Sequence, residues 1–180
     1  MHPRTHELLD YLERQRAVLR TAFDTVAPPL RDRSPAIGRW STAGVIEHLA
    51  IVEQRVSGRL SAALTHAREK GLPAESSTVP LLPSINVAPL IDRTTRITAP
   101  EAAQPTGLGA EAAWTALEQA GLLVRDTART CDGWAVGTVL VPHPVFGPIS
   151  LYHWFAFVGA HEARHAAQIH EIAATFVSIS

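Results

Sequence analysis

Apolar residues recur at three- and four-residue intervals in four stretches of the chain, which predicts four amphipathic helices. The first covers about residues 5–26 and stops before Pro28-Pro29, because proline cannot continue a helix. The second begins after Ser41, a favourable N-cap residue, and ends near Gly71. The third and fourth helices are predicted at about residues 110–130 and 150–176.

Residues 73–109 keep no such period and are rich in Pro, Ser and Thr. A connection of this length is uncommon in a compact domain, and ten or so extended residues already span a helix of about 30 Å. The segment can therefore cross the whole molecule and leave the second and third helices parallel. The pattern predicts an all-α fold, a four-helix bundle with a long crossover between helices 2 and 3, with short strand-like pieces at 84–87 and 93–97.

Composition narrows the class of protein further. The chain has 180 residues, 46% of them hydrophobic, and a formal net charge of -1, which indicates one globular domain over residues 1–180. There are 16 Lys and Arg against 17 Asp and Glu with no basic run, so nucleic acid is not an expected partner. Cys131 is the single cysteine. Neither an export signal nor a membrane-spanning run is evident, so the cytoplasm is the expected compartment and a membrane is not an expected partner.

Three histidines fall on the apolar faces of two predicted helices. His161 and His165 are one helical turn apart, so both imidazoles reach toward one point and can hold one metal ion. His48 lies on the core side of the second helix and is a candidate third ligand. Each buried imidazole needs a polar partner, and two charged ones would repel; a shared metal satisfies both. The alternative is a set of hydrogen-bonded core histidines.

The remaining histidines divide into two groups. Four are expected to face solvent or away from the site: His2, His6, His66 and His170. His153 lies about eighty degrees around the last helix from His161, which makes it a neighbour of the site and a poor fourth ligand. His143 stands in a proline-flanked loop before the last helix, where such loops often form the rim of a pocket.

The segment His-Glu-Ala-Arg-His at 161–165 also matches the zinc-protease signature, in which Glu162 would be the general base. The extended form of that pattern needs Gly three residues and His six residues after the second histidine. This chain has Gln168 and Glu171 at those positions, and no clear run of strands to bind an extended peptide. The protease interpretation is therefore disfavoured.

Three blocks of the sequence resemble one known family. Residues 40–49, Trp-Ser-Thr-Ala-Gly-Val-Ile-Glu-His-Leu, are similar to the Trp-Ser…His-Leu block of the DinB-like (DNA-damage-inducible) superfamily. Residues 143–148, His-Pro-Val-Phe-Gly-Pro, and residues 161–169 resemble that family's His-Pro…Gly loop and its closing His-x-x-x-His…Gln-Ile helix. The resemblance covers nearly the whole chain in order and spacing, and the three blocks together are fairly specific.

The resemblance implies a four-helix bundle with the same crossover, and a divalent metal held by His48, His161 and His165. Zinc or nickel is the metal that it implies, with open positions for water or substrate. Relatives include thiol-dependent transferases and isomerases that use low-molecular-weight thiols, and many members are described only as metal-dependent hydrolases. The family name does not imply DNA chemistry.

Three neutral histidines and an open position would lower the pKa of a bound water or activate a bound thiol. No catalytic base can be assigned, because the carboxylates near the ligands are rotated away from them. Glu47, Glu162 and Glu171 are expected to be partners of the ligands or members of salt bridges, and Arg164 is expected to be solvated.

The expected pocket is shaped by Trp40, His143, Phe146 and the crossover, with His153 and Glu162 nearby. We therefore expect a metal-dependent thiol transferase or hydrolase acting on a small molecule, with a low-molecular-weight thiol as a candidate co-substrate. The alternative is a non-catalytic metal- or ligand-binding bundle. An open metal position would favour the enzyme, a closed one the alternative. A homodimer is one assembly that the sequence leaves open.

Overall fold

The computed structural model describes residues 1–94, 98–144 and 146–177, and these are dominated by four long helices. The long helices are α1 (Pro3–Asp24), α2 (Thr42–Glu69), α4 (Ala110–Thr130) and α5 (Leu151–Val177); α3 (Ala88–Ile91) is a single turn. The predicted N-cap is correct, since Ser41 Oγ accepts a hydrogen bond from the Gly44 N–H at 3.1 Å. No described helix is both long enough and apolar enough to cross a membrane.

The ends of α2 and α4 show that these two helices run in the same direction. Near the start of α2, Glu47 accepts a hydrogen bond from the N–H of Leu108, which directly precedes α4. At the opposite end, Ala74 after α2 forms a β-bridge with Trp134 after α4. Residues 73–109 therefore cross the length of the bundle, as the missing periodicity predicts.

Helices α1 and α5 form the other pair. The start of α1 lies beside the end of α4, because the His2 N–H donates to Asp132 at 2.7 Å. The start of α5 is at the same end of the molecule, since the Arg4 guanidinium lies over the Tyr152 ring. α1 and α5 are thus parallel to each other and antiparallel to α2 and α4.

One local prediction was wrong, and a second falls mostly outside the described residues. Residues 84–87 form no strand, because Leu82–Ser84 makes a short 3-10 turn instead. Residues 93–94 of the second strand-like piece are also irregular, and 95–97 lie outside the described residues. The strands instead form a hairpin, β1 (Leu140–His143) with β2 (Gly147–Ser150). Its two prolines obscured it in the sequence, but both strands are edge strands, where a missing N–H can be tolerated.

The core is divided into two apolar clusters. Leu12 and Val158 belong to the first, with Val52 packed against it, whereas Leu117 belongs to the second. Along every long helix the membership changes from one cluster to the other within a few residues of the middle. A polar layer separates the two clusters at this level.

The polar layer is an ion triad of Arg16 from α1, Glu53 from α2 and Glu162 from α5. Arg16 Nη2 lies 2.7 Å from Glu53 Oε2 and 2.9 Å from Glu162 Oε1, and both glutamates are at most 2% exposed. Gly121 of α4 faces the triad, and a Cβ there would lie 2.7 Å from Arg16 Nη2. The mid-helix glycine therefore makes room for the guanidinium.

Candidate metal centre

The structure brings His48, His161 and His165 together between α2 and α5. The Nε2 atom of His161 lies 3.0 Å from that of His165 and 3.4 Å from that of His48. One ring nitrogen from each of the three residues lies within 4.8 Å of the other two. Nitrogens bound tetrahedrally to one zinc ion at 2.0–2.1 Å would be about 3.4 Å apart. The spacing therefore suits a shared metal ion.

Two of the three rings are oriented through their other nitrogen. His48 Nδ1 lies 2.6 Å from the carbonyl oxygen of Ala103, in the crossover. His165 Nδ1 lies 2.8 Å from the side-chain oxygen of Gln168. Both partners are acceptors, so both Nδ1 atoms carry the hydrogen and leave the Nε2 lone pair for a metal. This is the protonation pattern that a ligand histidine needs.

Burial keeps the three imidazoles neutral. His48 and His165 are buried, and His161 is partly exposed. Burial, followed by the charge of His48, lowers the pKa of His161 to about 3. Burial lowers the pKa of His48 and carries that of His165 well below its usual value, with His161 adding to the second shift. Near neutral pH no proton has to be displaced before a metal binds.

The metal-free protein should lose stability as the pH falls below about 6.5. The unfolded histidines take up protons there, whereas His48, His161 and His165 in the folded protein do not until the pH reaches their lowered pKa values. Each such histidine contributes a slope of about 1.4 kcal/mol per pH unit. Urea unfolding with a chelator at pH 7.5, 6.5 and 5.5 measures this loss. The exposed control His170→Asn should keep the parent slope, His161→Phe should reduce it, and equal slopes for all three would contradict the prediction.

Trp40 closes one side of the histidine cluster. Its ring centroid lies 4.9 Å from that of His48. Trp40 also lines a cavity of about 400 Å³, here called the Trp40 cavity, together with crossover residues 105–109. A second cavity of about 250 Å³, the Gln168 cavity, is lined by Gln168 and by residues of the loop before α2. The described cavities thus approach the histidines through Trp40 and Gln168.

His143 and Phe146 belong to an aromatic group beside the cluster. The His143 ring lies 4.9 Å from Phe146, 4.7 Å from Trp154 and 5.7 Å from Phe157. Phe157 is one helical turn before His161 on the same face of α5. His143 is also close enough for its charge to add to the lowering of the His161 pKa. These residues therefore flank the site on the hairpin side.

His153 and Glu162 have structural partners of their own. His153 Nδ1 lies 2.8 Å from Ser150 Oγ at the start of α5. Glu162 receives hydrogen bonds from Arg16 at 2.9 and 3.2 Å in the ion triad. A carboxylate held in this way is not available as the base that the zinc-protease interpretation requires. The structure gives that interpretation no support.

The other two carboxylates near the ligands hold the crossover in place. Glu47 accepts hydrogen bonds from Thr106, Gly107 and Leu108; burial opposes its ionisation, but these bonds lower its pKa overall. Glu171 accepts two hydrogen bonds from Arg93, at 2.7 and 2.6 Å. Glu47 and Glu171 therefore hold the crossover beside the site, Glu47 through hydrogen bonds and Glu171 through a salt bridge.

Arg164 corrects a prediction, because its side chain is buried and not solvated. The guanidinium donates to the carbonyl oxygens of Leu90 and Asp92 in the crossover. Sequence reasoning also missed Ala103, since a carbonyl 55 residues from His48 leaves no signal in the sequence. Gln168 could have been found as a partner, because it follows His165 by three residues and so shares its helix face.

Comparisons with known proteins agree with this fold. A sequence model of the DinB superfamily matches residues 11–169. No curated protein gives a significant match. The structure is similar to that of TT2238, described as a four-helix bundle protein, with a TM-score of 0.62 and 19% sequence identity over 93% of this chain and 98% of the other. At this identity the likeness shows the fold alone, and it confirms the four-helix bundle.

Proposed function

The chain belongs to the DinB superfamily, and from this premise we propose that it binds a divalent metal ion, zinc or nickel, through Nε2 of His48, His161 and His165. The observation that carries the proposal is the convergence of three neutral imidazoles, two of them with Nδ1 hydrogen-bonded to an acceptor. Hydrogen bonds between the rings would also bring these Nε2 atoms together, so metal content decides between the two interpretations.

The proposed activity is metal-dependent transfer of a low-molecular-weight thiol to a small molecule, or hydrolysis of one. A divalent ion held by three neutral ligands favours hydroxide or thiolate as its next ligand, which supplies a nucleophile near neutral pH. Trp40 and the aromatic group around His143 would shield that nucleophile from bulk water. The hydrogen bonds to Ala103 and Gln168 would hold the ligand rings in position.

A non-catalytic metal- or ligand-binding bundle is the second candidate. It is favoured by the burial of His48 and His165 and by the position of Trp40, which lies between the Trp40 cavity and His48. A ligand-filled or closed metal position would leave no exchangeable water for chemistry.

Metal content and turnover together test the proposal. Freshly purified protein should contain close to one equivalent of zinc or nickel by mass spectrometry. The metal-loaded protein should turn over small electrophiles with bacillithiol, mycothiol or glutathione, or activated esters and amides without thiol, and a chelator should abolish this activity. Metal binding without turnover in either screen would favour the non-catalytic candidate. A protein that binds neither metal would contradict both the ligand assignment and the enzyme.

A further inference from the structure

Arg39 stands between the two cavities next to the histidine cluster. It lines both the Trp40 cavity and the Gln168 cavity, which we call together the Arg39 cleft. The larger cavity, about 400 Å³, is within the range of about 300–1,000 Å³ that small-molecule sites occupy. The cleft is therefore large enough for a small organic molecule.

Each cavity is one side chain away from a candidate metal ligand. Trp40 forms a wall of one cavity and packs against the ring of His48. Gln168 forms a wall of the other, and its side-chain oxygen lies 2.8 Å from His165 Nδ1. A molecule in the Arg39 cleft would thus lie against the two side chains that separate the cleft from the cluster.

Arg39 acts on the cleft at a distance: the hydrogen bond from Arg93 lowers the pKa of Glu171 most, and the charge of Arg39 adds to that shift. The Arg39 side chain is exposed, and no hydrogen bond or ion pair to its guanidinium is found within residues 1–94, 98–144 and 146–177. The neighbouring cations are used: Arg93 binds Glu171, and Arg164 binds crossover carbonyls. The acidic groups of the cleft are also engaged, since Glu171 is held by Arg93 and Asp32 caps α4 through the Ala110 N–H.

The turn that carries Arg39 has a defined backbone conformation. Gly38 has a φ of 71°, a conformation that other residues rarely adopt. The Arg39 N–H donates to the Ala36 carbonyl at 3.1 Å, and Ser41 then caps α2. A guanidinium presented on a defined turn is suited to bind a carboxylate with two parallel hydrogen bonds.

We propose that Arg39 anchors the carboxylate of a small-molecule ligand in the Arg39 cleft, with the rest of the ligand against Trp40 and Gln168, the side chains that contact His48 and His165. This inference rests on the proposed function and names its substrate class as small carboxylates. The carboxylate belongs either to a thiol co-substrate or to the molecule on which the protein acts, and both present the same group to Arg39.

Paired ligands that differ in charge test this anchor by calorimetric titration of the zinc-loaded protein. Glutathione and its diethyl ester represent the thiol; phenylacetate and phenylacetamide represent an acceptor substrate. The parent should bind the carboxylate of at least one pair about tenfold or more tightly than the ester or amide of that pair. The pair that shows this preference identifies the source of the carboxylate.

Arg39→Gln should abolish the preference without weakening the binding of the ester or the amide. Arg33→Gln, at an exposed arginine of the same loop, is the matched control and should keep it. Equal binding within both pairs, no binding, or a preference that survives Arg39→Gln would overturn the anchor. Zinc content is measured separately. A parent that retains no zinc would overturn the proposed function, and the same titrations on that metal-free protein would still decide the role of Arg39.

Discussion

Replacing Arg16 by methionine is expected to destabilise the protein by about 3–5 kcal/mol, because it leaves buried carboxyl groups without their cation. Arg16 donates to both Glu53 and Glu162 and also to the Leu117 carbonyl oxygen. Only 14% of its side chain is exposed, so water cannot replace these bonds. Urea unfolding at pH 7.5 measures the loss. Arg14→Met, at an exposed position of the same helix, should cost far less, and a similar cost for both variants would contradict the prediction.

A variant of Glu53 distinguishes the loss of the Arg16 charge from a general disruption of the ion triad. Burial, followed by the charge of Glu162, raises the pKa of Glu53 well above its usual value despite Arg16, so the buried acid favours its neutral form. Its Oε1 atom receives no hydrogen bond within the described residues, which adds to the cost of a negative charge on this carboxyl. Glu53→Gln copies the neutral form and should cost less than about 1 kcal/mol near neutral pH.

The same variant should change the pH dependence of stability. Folding raises the pKa of Glu53, so the contribution of this acid is fully present below about pH 4.5 and is lost as the pH rises through the raised value. This slope opposes that of the three histidines. Glu53→Gln should therefore remove the contribution of Glu53 to the slope. The stability of this variant should then fall more steeply from pH 7.5 to 5.5 than that of the parent. An unchanged profile would argue against a protonated Glu53.

Replacing His161 by alanine is expected to remove most of the metal affinity. His161 is the central member of the cluster, within 3.4 Å of both other Nε2 atoms. Removing it leaves two ligands, and the loss should exceed the about 10–100-fold typical when only an outer partner of a ligand is changed. Gln168→Ala should fall within that smaller range, because Gln168 orients His165 without being a proposed ligand.

Competition with a coloured zinc chelator measures these affinities. His170→Ala, an exposed histidine on the same helix, and His66→Ala, on α2, are the controls and should bind zinc as the parent does. Unfolding in the presence of a chelator shows whether each variant is folded. If His161→Ala binds zinc as tightly as the parent, the three-histidine assignment is wrong.

Periodicity and spacing along the chain were enough to predict the long helices and the candidate site. Apolar residues at three- and four-residue intervals reflect the geometry of a helix itself, so α4 was predicted at its observed bounds, Ala110–Thr130. The same geometry places His161 and His165 on one face whatever surrounds them. The length of residues 73–109 allowed a crossover, because shorter connections suffice between antiparallel neighbours.

Only the tertiary structure decided which groups meet across the bundle. The Glu162 side chain binds Arg16 in the ion triad and not the neighbouring histidines. The triad forms because α1, α2 and α5 each contribute one charged residue at the same level of the bundle. Ala103 reaches His48 through a backbone carbonyl, which every residue carries and which the sequence therefore cannot mark. The spacing of side chains along the chain determines local helix geometry. Contacts between distant residues depend on how the irregular crossover packs against the four helices.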